Sequence, residues 1–401
     1  YFKHNKFEKG AKCKEFLDNS NTYILSGVYS SRINQKIQNA IVQNKLTRIV
    51  EPLNFFLGDK YSKNIDFIYN ELLQNQAHDA ICGCSIDNVA DIVSSRFQVC
   101  DNALNSILNA LVRNFKEKYK ITAKSKDKIG LFNLSNTSFK TVKLKLPYVL
   151  DNAQVIKIHR AFPQDILNDP YKIPVTEDIC DIYTQIVEIE ENSPFEFKTL
   201  KIKKPQKRVK ITDKSIENDF ISFKINNGFY VFDKKKNKKY EFKLTDIKDK
   251  GDTYNFAPWG EYKFLNLKDT KIIENGDIEC CLRLIFKDVN LDLVLDNHSK
   301  FLKFNAKIKN KTKNHKLQFV FLSDEPIKKT MASDAIGTIE RKHDPNYKMA
   351  EFCPIKRPYE LKTNSYPMPF KRSGNYFKPE KSCSGNSCRS RFKNSESAVF
   401  R

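Results

Sequence analysis

One change of hydrophobic period divides this 401-residue sequence. Up to about residue 120, apolar side chains recur at steps of three and four, as in Val89, Val93, Phe97, Cys100, Leu104, Ile107 and Leu111. That spacing lays them along one stripe of a helix and predicts a continuous buried face. Beyond Lys120 they recur at every second position, as in Val142-Lys143-Leu144-Lys145-Leu146 and in residues 301–309, with Asn-, Asp- and Gly-containing turns between runs. Alternation of this kind gives a strand one apolar and one wet face, the pattern of antiparallel sheets stacked as a sandwich. The expected fold class is α+β and multi-domain: a small antiparallel helical bundle over 26–120, then a large antiparallel β-sandwich over 121–345.

Finer divisions follow from the same pattern. A helical run over residues 33–50 is expected to break at Pro52. A second helix carries Ile65, Ile68, Leu72 and Leu73 inward and ends at His78-Asp79, and a long third helix is capped near Ser85 or Asp87. Pro147 closes the first strand run, and Pro205 marks a break between two sub-sandwiches. From about Met368 onward neither period persists, so 346–401 is expected to be a poorly ordered or aberrant tail.

The stretch Asn75-Gln76-Ala77-His78-Asp79-Ala80-Ile81-Cys82-Gly83-Cys84-Ser85 is where the chain looks built for chemistry. A His beside an Asp at a helix end can be a simple satisfied pair or a metal ligand with its orienting carboxylate. The whole segment closely resembles the Gln-Pro-His-Asp-Ser-Ile-Cys-Gly-Cys-Ser-Ile-Asp run of glycoside hydrolase family 38, the zinc-dependent α-mannosidases, and in particular the bacterial branch with mannosylglycerate hydrolases. Ala77 stands where Pro is usual. Upstream, Ser26-Gly27 through Ser30-Ser31-Arg32 and Lys36 resembles the family's Ser-Gly-x-x-(Ser/Thr)-(Ser/Thr)-Arg segment. Downstream, Phe132-Asn133-Leu134-Ser135, Gly251-Asp252-Thr253-Tyr254 with Pro258, and Ile308-Lys309-Asn310 with His315-Lys316-Leu317 resemble parts of its β domain.

The resemblance implies a retaining glycosidase with two close carboxylates, one attacking the anomeric carbon and the other serving as acid and then base. It also implies a zinc ion that binds the 2- and 3-hydroxyls of an α-mannoside substrate, mannosylglycerate or its 6-phosphate being candidates. By the same resemblance His78 is one zinc ligand, Asp79 contacts sugar hydroxyls, Tyr254 reaches from the β domain into the sugar site, and Arg32 belongs to the substrate-binding set or orients its loop. The family's other zinc ligands, a His-x-Asp pair and the nucleophilic Asp, lie in an N-terminal α/β barrel. His4 is the only histidine before His78, and Lys6 stands two positions on. Residues 1–25 are therefore read as the end of that barrel or a linker, and the isolated chain as an inactive part of the parent enzyme. Leu25 replaces a Trp of animal members, and Gln318 stands where Arg is common.

Ten cysteines diluted over a chain this long, some in close pairs such as Cys82 with Cys84 and Cys280 with Cys281, suggest a reduced, cytoplasmic protein. No apolar run approaches the roughly 20 residues that cross a bilayer, so no membrane partner is expected. The net charge of +22 raises the question of nucleic acid. Its lysines alternate with apolar residues or fill turns, as in Lys234 to Lys239, which is the solvated face of strands and loops; no nucleic-acid partner is expected. A noncatalytic carbohydrate-binding or structural module is the first alternative function and a basic nucleic-acid-binding protein, the lesser one, the second; a homo-oligomer is compatible with each.

Overall fold

A computed structural model of the chain describes residues 28, 31–120, 129–135, 137–161, 180–251, 258–323, 329–333 and 338–342. Leu25, Tyr254, residues 1–25 and the tail 346–401 lie outside these described residues. The architecture is mixed α+β, a helical region followed by antiparallel sheets.

Helix α1 (Ile33–Lys45) passes through one π-type turn, Leu46–Val50, into α2 (Glu51–Phe56). The expected break at Pro52 does not occur. Pro52 sits in the first turn of α2, where its missing N–H leaves no helical bond unmade, and the wide turn before it lets the Glu51 N–H reach back to the Leu46 carbonyl. Helix α3 (Ser62–Asn75) buries Ile65, Ile68, Leu72 and Asn75. Leu73, expected inside, is 59% exposed because one residue past Leu72 turns it about 100° off that face.

His78 and Asp79 do not end α3, contrary to expectation. That helix stops at Asn75, Ala77 adopts an extended ψ of 137°, and His78 opens a separate short helix, α4 (His78–Cys82). Helix α5 (Asp87–Lys118) then runs 32 residues, about 48 Å at 1.5 Å per residue. Val93, Phe97, Cys100, Leu104, Ile107 and Leu111 form its buried stripe, packed on Val42, Leu46 and Val50 and on Ile65, Ile68 and Leu72. Val89, placed in that stripe by spacing alone, is exposed in the helix's first turn, where the neighbouring Ala90 is the buried residue instead. Ile86 rather than Ser85 or Asp87 occupies the N-cap position, without a side-chain bond. Asp87 lies in the first turn and Lys116 and Lys118 in the last, each sign facing the opposite end of the helix dipole.

An aromatic cluster joins bundle to sheets. Phe115 of α5 and Phe56 of α2 meet Phe132 of β1 (Gly130–Phe132), and Phe197, from the β1 partner strand 197–199, closes the group against Phe115, edge-on at 4.8 Å, and against Tyr119, the residue after α5.

The next strands, β2 (Phe139–Leu146), β3 (Gln154–Ala161) and β4 (Cys180–Asn192), form a sheet in the order β2-β4-β3. The strand paired with β1 is β5 (Phe197–Thr199), and β6 (Ile202–Lys203) adds to β4. After Pro205 the chain enters a seven-stranded sheet. Its strands β7 (Lys210–Thr212), β8 (Ser215–Glu217), β9 (Ile221–Ile225), β10 (Phe229–Asp233), β11 (Lys238–Asp249) and β12 (Pro258–Phe264) lie in chain order. A four-stranded sheet follows from β13 (Asp269–Asn275), β14 (Glu279–Ile285), β15 (Val289–Asp296) and β16 (Lys303–Ile308). Then β17 (His315–Ser323) returns to pair with β11, and β18 (Lys329–Ser333) pairs with β19 (Thr338–Lys342).

The seven- and four-stranded sheets share one core, in which Phe223, Phe242 and Leu244 meet Leu282, Leu284, Leu291 and Leu293. The β2-β4-β3 sheet is fastened to the β13–β14 turn by Gln154. Its Oε1 accepts from the Ile278 and Glu279 amides at 2.9 Å each, and its Nε2 donates to the Glu279 carbonyl at 2.8 Å. Gly276 sits in that turn because a Cβ there would fall 1.9 Å from the Gln154 side chain.

Candidate functional site

The loop that carries His78 is held from beneath by α1. Arg32 precedes that helix in the left-handed region (φ 46°), a conformation costly for a non-glycine residue. Its guanidinium offsets that cost by donating to the Gly83 carbonyl at 3.1 Å, the Ser85 carbonyl at 3.0 Å and the Asp87 carboxylate at 2.8 Å. One turn on, the Lys36 ammonium donates to the Ser31 and Cys82 carbonyls. Burial pushes Lys36 below the usual lysine pKa, opposed by the nearby Cys82 and Cys84 thiols and assisted by Arg32. Two cations thus satisfy carbonyls left over where α4 ends.

Within the loop, Gly83 adopts φ 74° and ends α4 by donating to the Ala80 carbonyl at 3.1 Å. Ser85 Oγ donates to the Asp79 carbonyl at 2.9 Å, and the Cys84 thiol lies 3.6 Å from both that carbonyl and Asp79 Oδ1. His78 and Asp79 themselves point outward, their side chains 86% and 67% exposed, with Nε2 3.3 Å from Oδ1. The result is an accessible imidazole beside an accessible carboxylate on a fastened turn.

Two supports escaped sequence reasoning. Gln35 and Asn75 are buried, and their side-chain amides donate to the Ala90 and Val93 carbonyls of α5 at 3.0 and 2.8 Å. They clip α1 and α3 to the long helix just under the loop. For Asn75 a signal existed: a polar residue three positions past Leu72 falls on the inward face.

The structure brings Arg32, His78 and Asp79 to one loop system. Tyr254 lies outside the described residues, so its place is not part of this geometry. Gln318 stands on β17 opposite Thr245 of β11, in the β part.

Zinc needs four ligands, or three and an open position. Among the described residues no three His, Cys, Asp or Glu side chains are grouped to hold a metal ion. Burial also pushes the Cys82 thiol above its usual pKa, with Cys84 and Asp79 adding to the shift and Lys36 opposing it. These residues do not make a complete metal centre, and His78 offers one imidazole to it at most.

Two family descriptions match the chain. Residues 24–115 match the α-mannosidase middle domain, and residues 216–369 match the C-terminal domain of family 38 glycosyl hydrolases. The chain belongs to glycoside hydrolase family 38. Solved structures agree in fold: an α-mannosidase from Enterococcus faecalis superposes with TM-score 0.65 at 18% identity, covering 80% of this chain and 46% of that one. A second family 38 glycosyl hydrolase structure from the same organism gives TM-score 0.64 at 19% identity, with 80% and 48% covered. A Halalkalibacterium halodurans protein whose name proposes a mannosylglycerate hydrolase is 35% identical over 71 residues, 17% of this chain and 8% of that protein. The chain thus spans about half the length of the family 38 structures it matches. Among the described residues no helix is long and apolar enough to cross a membrane.

Proposed function

We propose that this chain forms the helical and β parts of a retaining, zinc-dependent α-mannosidase. His78 is one zinc ligand, Asp79 meets the hydroxyls of the bound mannose, Tyr254 approaches the same sugar, and Arg32 acts on the substrate through the loop it holds. The observation that carries this reading is the exposed His78-Asp79 pair on a turn locked by Arg32 and Lys36, in a chain of family 38. When bound, zinc would orient and polarise sugar hydroxyls. In this reading the remaining ligands and the two carboxylates of the retaining scheme come from the family's barrel, outside the two matched regions 24–115 and 216–369. Mannosylglycerate or its 6-phosphate is the proposed substrate, in line with the name of the Halalkalibacterium halodurans relative. A cytoplasmic site of action accords with free thiols at Cys82, Cys84, Cys100, Cys280 and Cys281.

The test compares the isolated chain with the product of its whole reading frame. The isolated chain with added zinc leaves an aryl α-mannoside intact. In the whole product, His78→Ala lowers kcat/KM by about 100-fold or more and abolishes stoichiometric zinc in elemental analysis. Hydrolysis by the isolated chain, or full zinc content in the His78→Ala protein, overturns the proposal. Mannoside binding by the isolated chain that survives His78→Ala would instead support a noncatalytic carbohydrate-binding module.

A further inference from the structure

The linker between β6 and β7 floors a cleft remote in sequence from the His78 loop. Two adjoining hollows of about 720 and 350 Å³ share Gln206 and Arg208 in their walls, and every lining residue belongs to the β part. They run along β4, β6 and β7 to the end of β13.

The floor is built rather than loose. Asn297 is fully buried, and its Oδ1 accepts from the Arg208 and Val209 amides at 2.9 and 3.3 Å. Its Nδ2 donates to the Gln206 carbonyl at 3.1 Å, the Asp277 carbonyl at 2.8 Å and Glu188 Oε1 at 2.5 Å. One buried amide therefore fixes the backbone from which residues 206–208 project, before any ligand arrives.

The charge in this cleft is unbalanced. Two of its carboxylates are matched by cations, Asp219 by Arg208 at 3.2 Å and Glu191 by Lys140 at 3.5 Å, and the third, Glu188, accepts from the buried Asn297 amide. Lys203, Lys204, Lys207 and Lys210 pair with no carboxylate among the described residues, and Lys207 donates to the neutral Asn275 side chain at 2.6 Å. Two lysines without a carboxylate partner line each of the two adjoining hollows, and a ligand with several negative groups neutralises that excess of positive charge.

Chemistry narrows the ligand class. No Phe, Tyr or Trp side chain lines either hollow, and the one imidazole there, His298, sits 3.3 Å from Glu188, so the run of aromatic platforms on which a single strand stacks successive bases is not built here. Gln206, Asn275 and the interleaved carboxylates instead offer both donors and acceptors suited to hydroxyls. We infer that this cleft binds a polyanionic saccharide, one carrying phosphate or sulfate esters, with its anionic groups on Lys203, Lys204, Lys207 and Lys210. The site stands whether or not His78 serves a zinc ion.

Titration calorimetry of the 401-residue chain against phosphomannan, dextran sulfate, neutral mannan and single-stranded oligo(U) tests it. At least one sulfated or phosphorylated glycan binds and neutral mannan does not; phosphomannan alone would name phosphate esters and dextran sulfate alone sulfate esters. The triple variant Lys204→Gln, Lys207→Gln, Lys210→Gln weakens that binding at least ten-fold with an unchanged melting temperature. A control with the same charge removed elsewhere, Lys235→Gln, Lys287→Gln, Lys311→Gln, keeps the affinity within two-fold. The inference is overturned if neither anionic glycan binds, if both triples lose affinity equally, or if oligo(U) binds more tightly with the same lysine dependence.

Discussion

Arg32 and Gly83 are fitted to each other from both sides. The Arg32 Nε donates to the Gly83 carbonyl at 3.1 Å, and a Cβ on Gly83 would lie 3.1 Å from the Cβ of Arg32 and 3.2 Å from the Ser31 carbonyl oxygen. The residue before α1 and the residue after α4 are thus pressed together, and the turn bearing His78 is stiff at its base.

Gly83→Ala should therefore be costly on two counts. The left-handed φ of 74° costs an L-residue about 1–2 kcal/mol, and the tight contact with Arg32 adds to it. Urea denaturation should show a lower midpoint with an unchanged m-value, and hydrogen exchange should rise in residues 78–85. An unchanged midpoint would mean that the loop relaxes freely and that Arg32 does not clamp it.

Among the three Arg32 bonds, those to carbonyls should outweigh the ion pair. Asp87 is 91% exposed on its side chain, and pairs of that kind contribute about 0–1 kcal/mol. Bonds from a cation to partly buried carbonyls are worth about 1.5–3 kcal/mol each. Arg32→Ala should lower stability by about 2–4 kcal/mol, whereas Asp87→Asn should lower it by less than about 1 kcal/mol. Equal losses in chemical denaturation would reverse this order.

The helical stripe of α5 and the period-two strands were legible because burial repeats with the geometry of each element. The end of α3 was not. Nothing in the run Gln74-Asn75-Gln76-Ala77 marks a stop before His78, since helix propensity there is ordinary; the break lies at the extended Ala77, just past Asn75, whose side chain is tied to the distant Val93 carbonyl. Pro52 misled for a related reason: a π-type turn, which no local pattern announces, places it where a proline is harmless. The candidate site was legible at His78 and Asp79 through their motif. Gln35 and the basic cleft at Gln206 to Lys210 were not, because each depends on segments distant in the chain.

The aromatic cluster should couple bundle and sheets. Phe115 touches Phe56, Tyr119, Phe132 and Phe197, with the Phe132 ring centroid at 5.5 Å. Phe115→Ala should cost about 3–5 kcal/mol, and a double-mutant cycle with Phe197→Ala should return a coupling of about 0.5–1.5 kcal/mol. Additive losses would show that the bundle and the β1–β5 ribbon melt independently.

Alkaline pH should destabilise the protein through thiols buried in its cores. Burial pushes Cys100 and Cys280 up to about 11 and Cys281 up to about 12, from a usual 9.0, with the carboxylates Asp292 and Glu279 adding to the shift at Cys281. A raised folded pKa means that, above pH 9, the unfolded chain has already released these protons while the folded chain still holds them. Their contribution is complete below pH 9 and is lost as pH rises through 11 to 12. The slope from one such thiol reaches about 1.4 kcal/mol per pH unit. Melting curves from pH 8 to pH 11 should fall progressively, and Cys281→Ala should flatten that fall while lowering stability at pH 8 only modestly. A slope identical to that of the parent protein would mean that groups other than this thiol control alkaline unfolding.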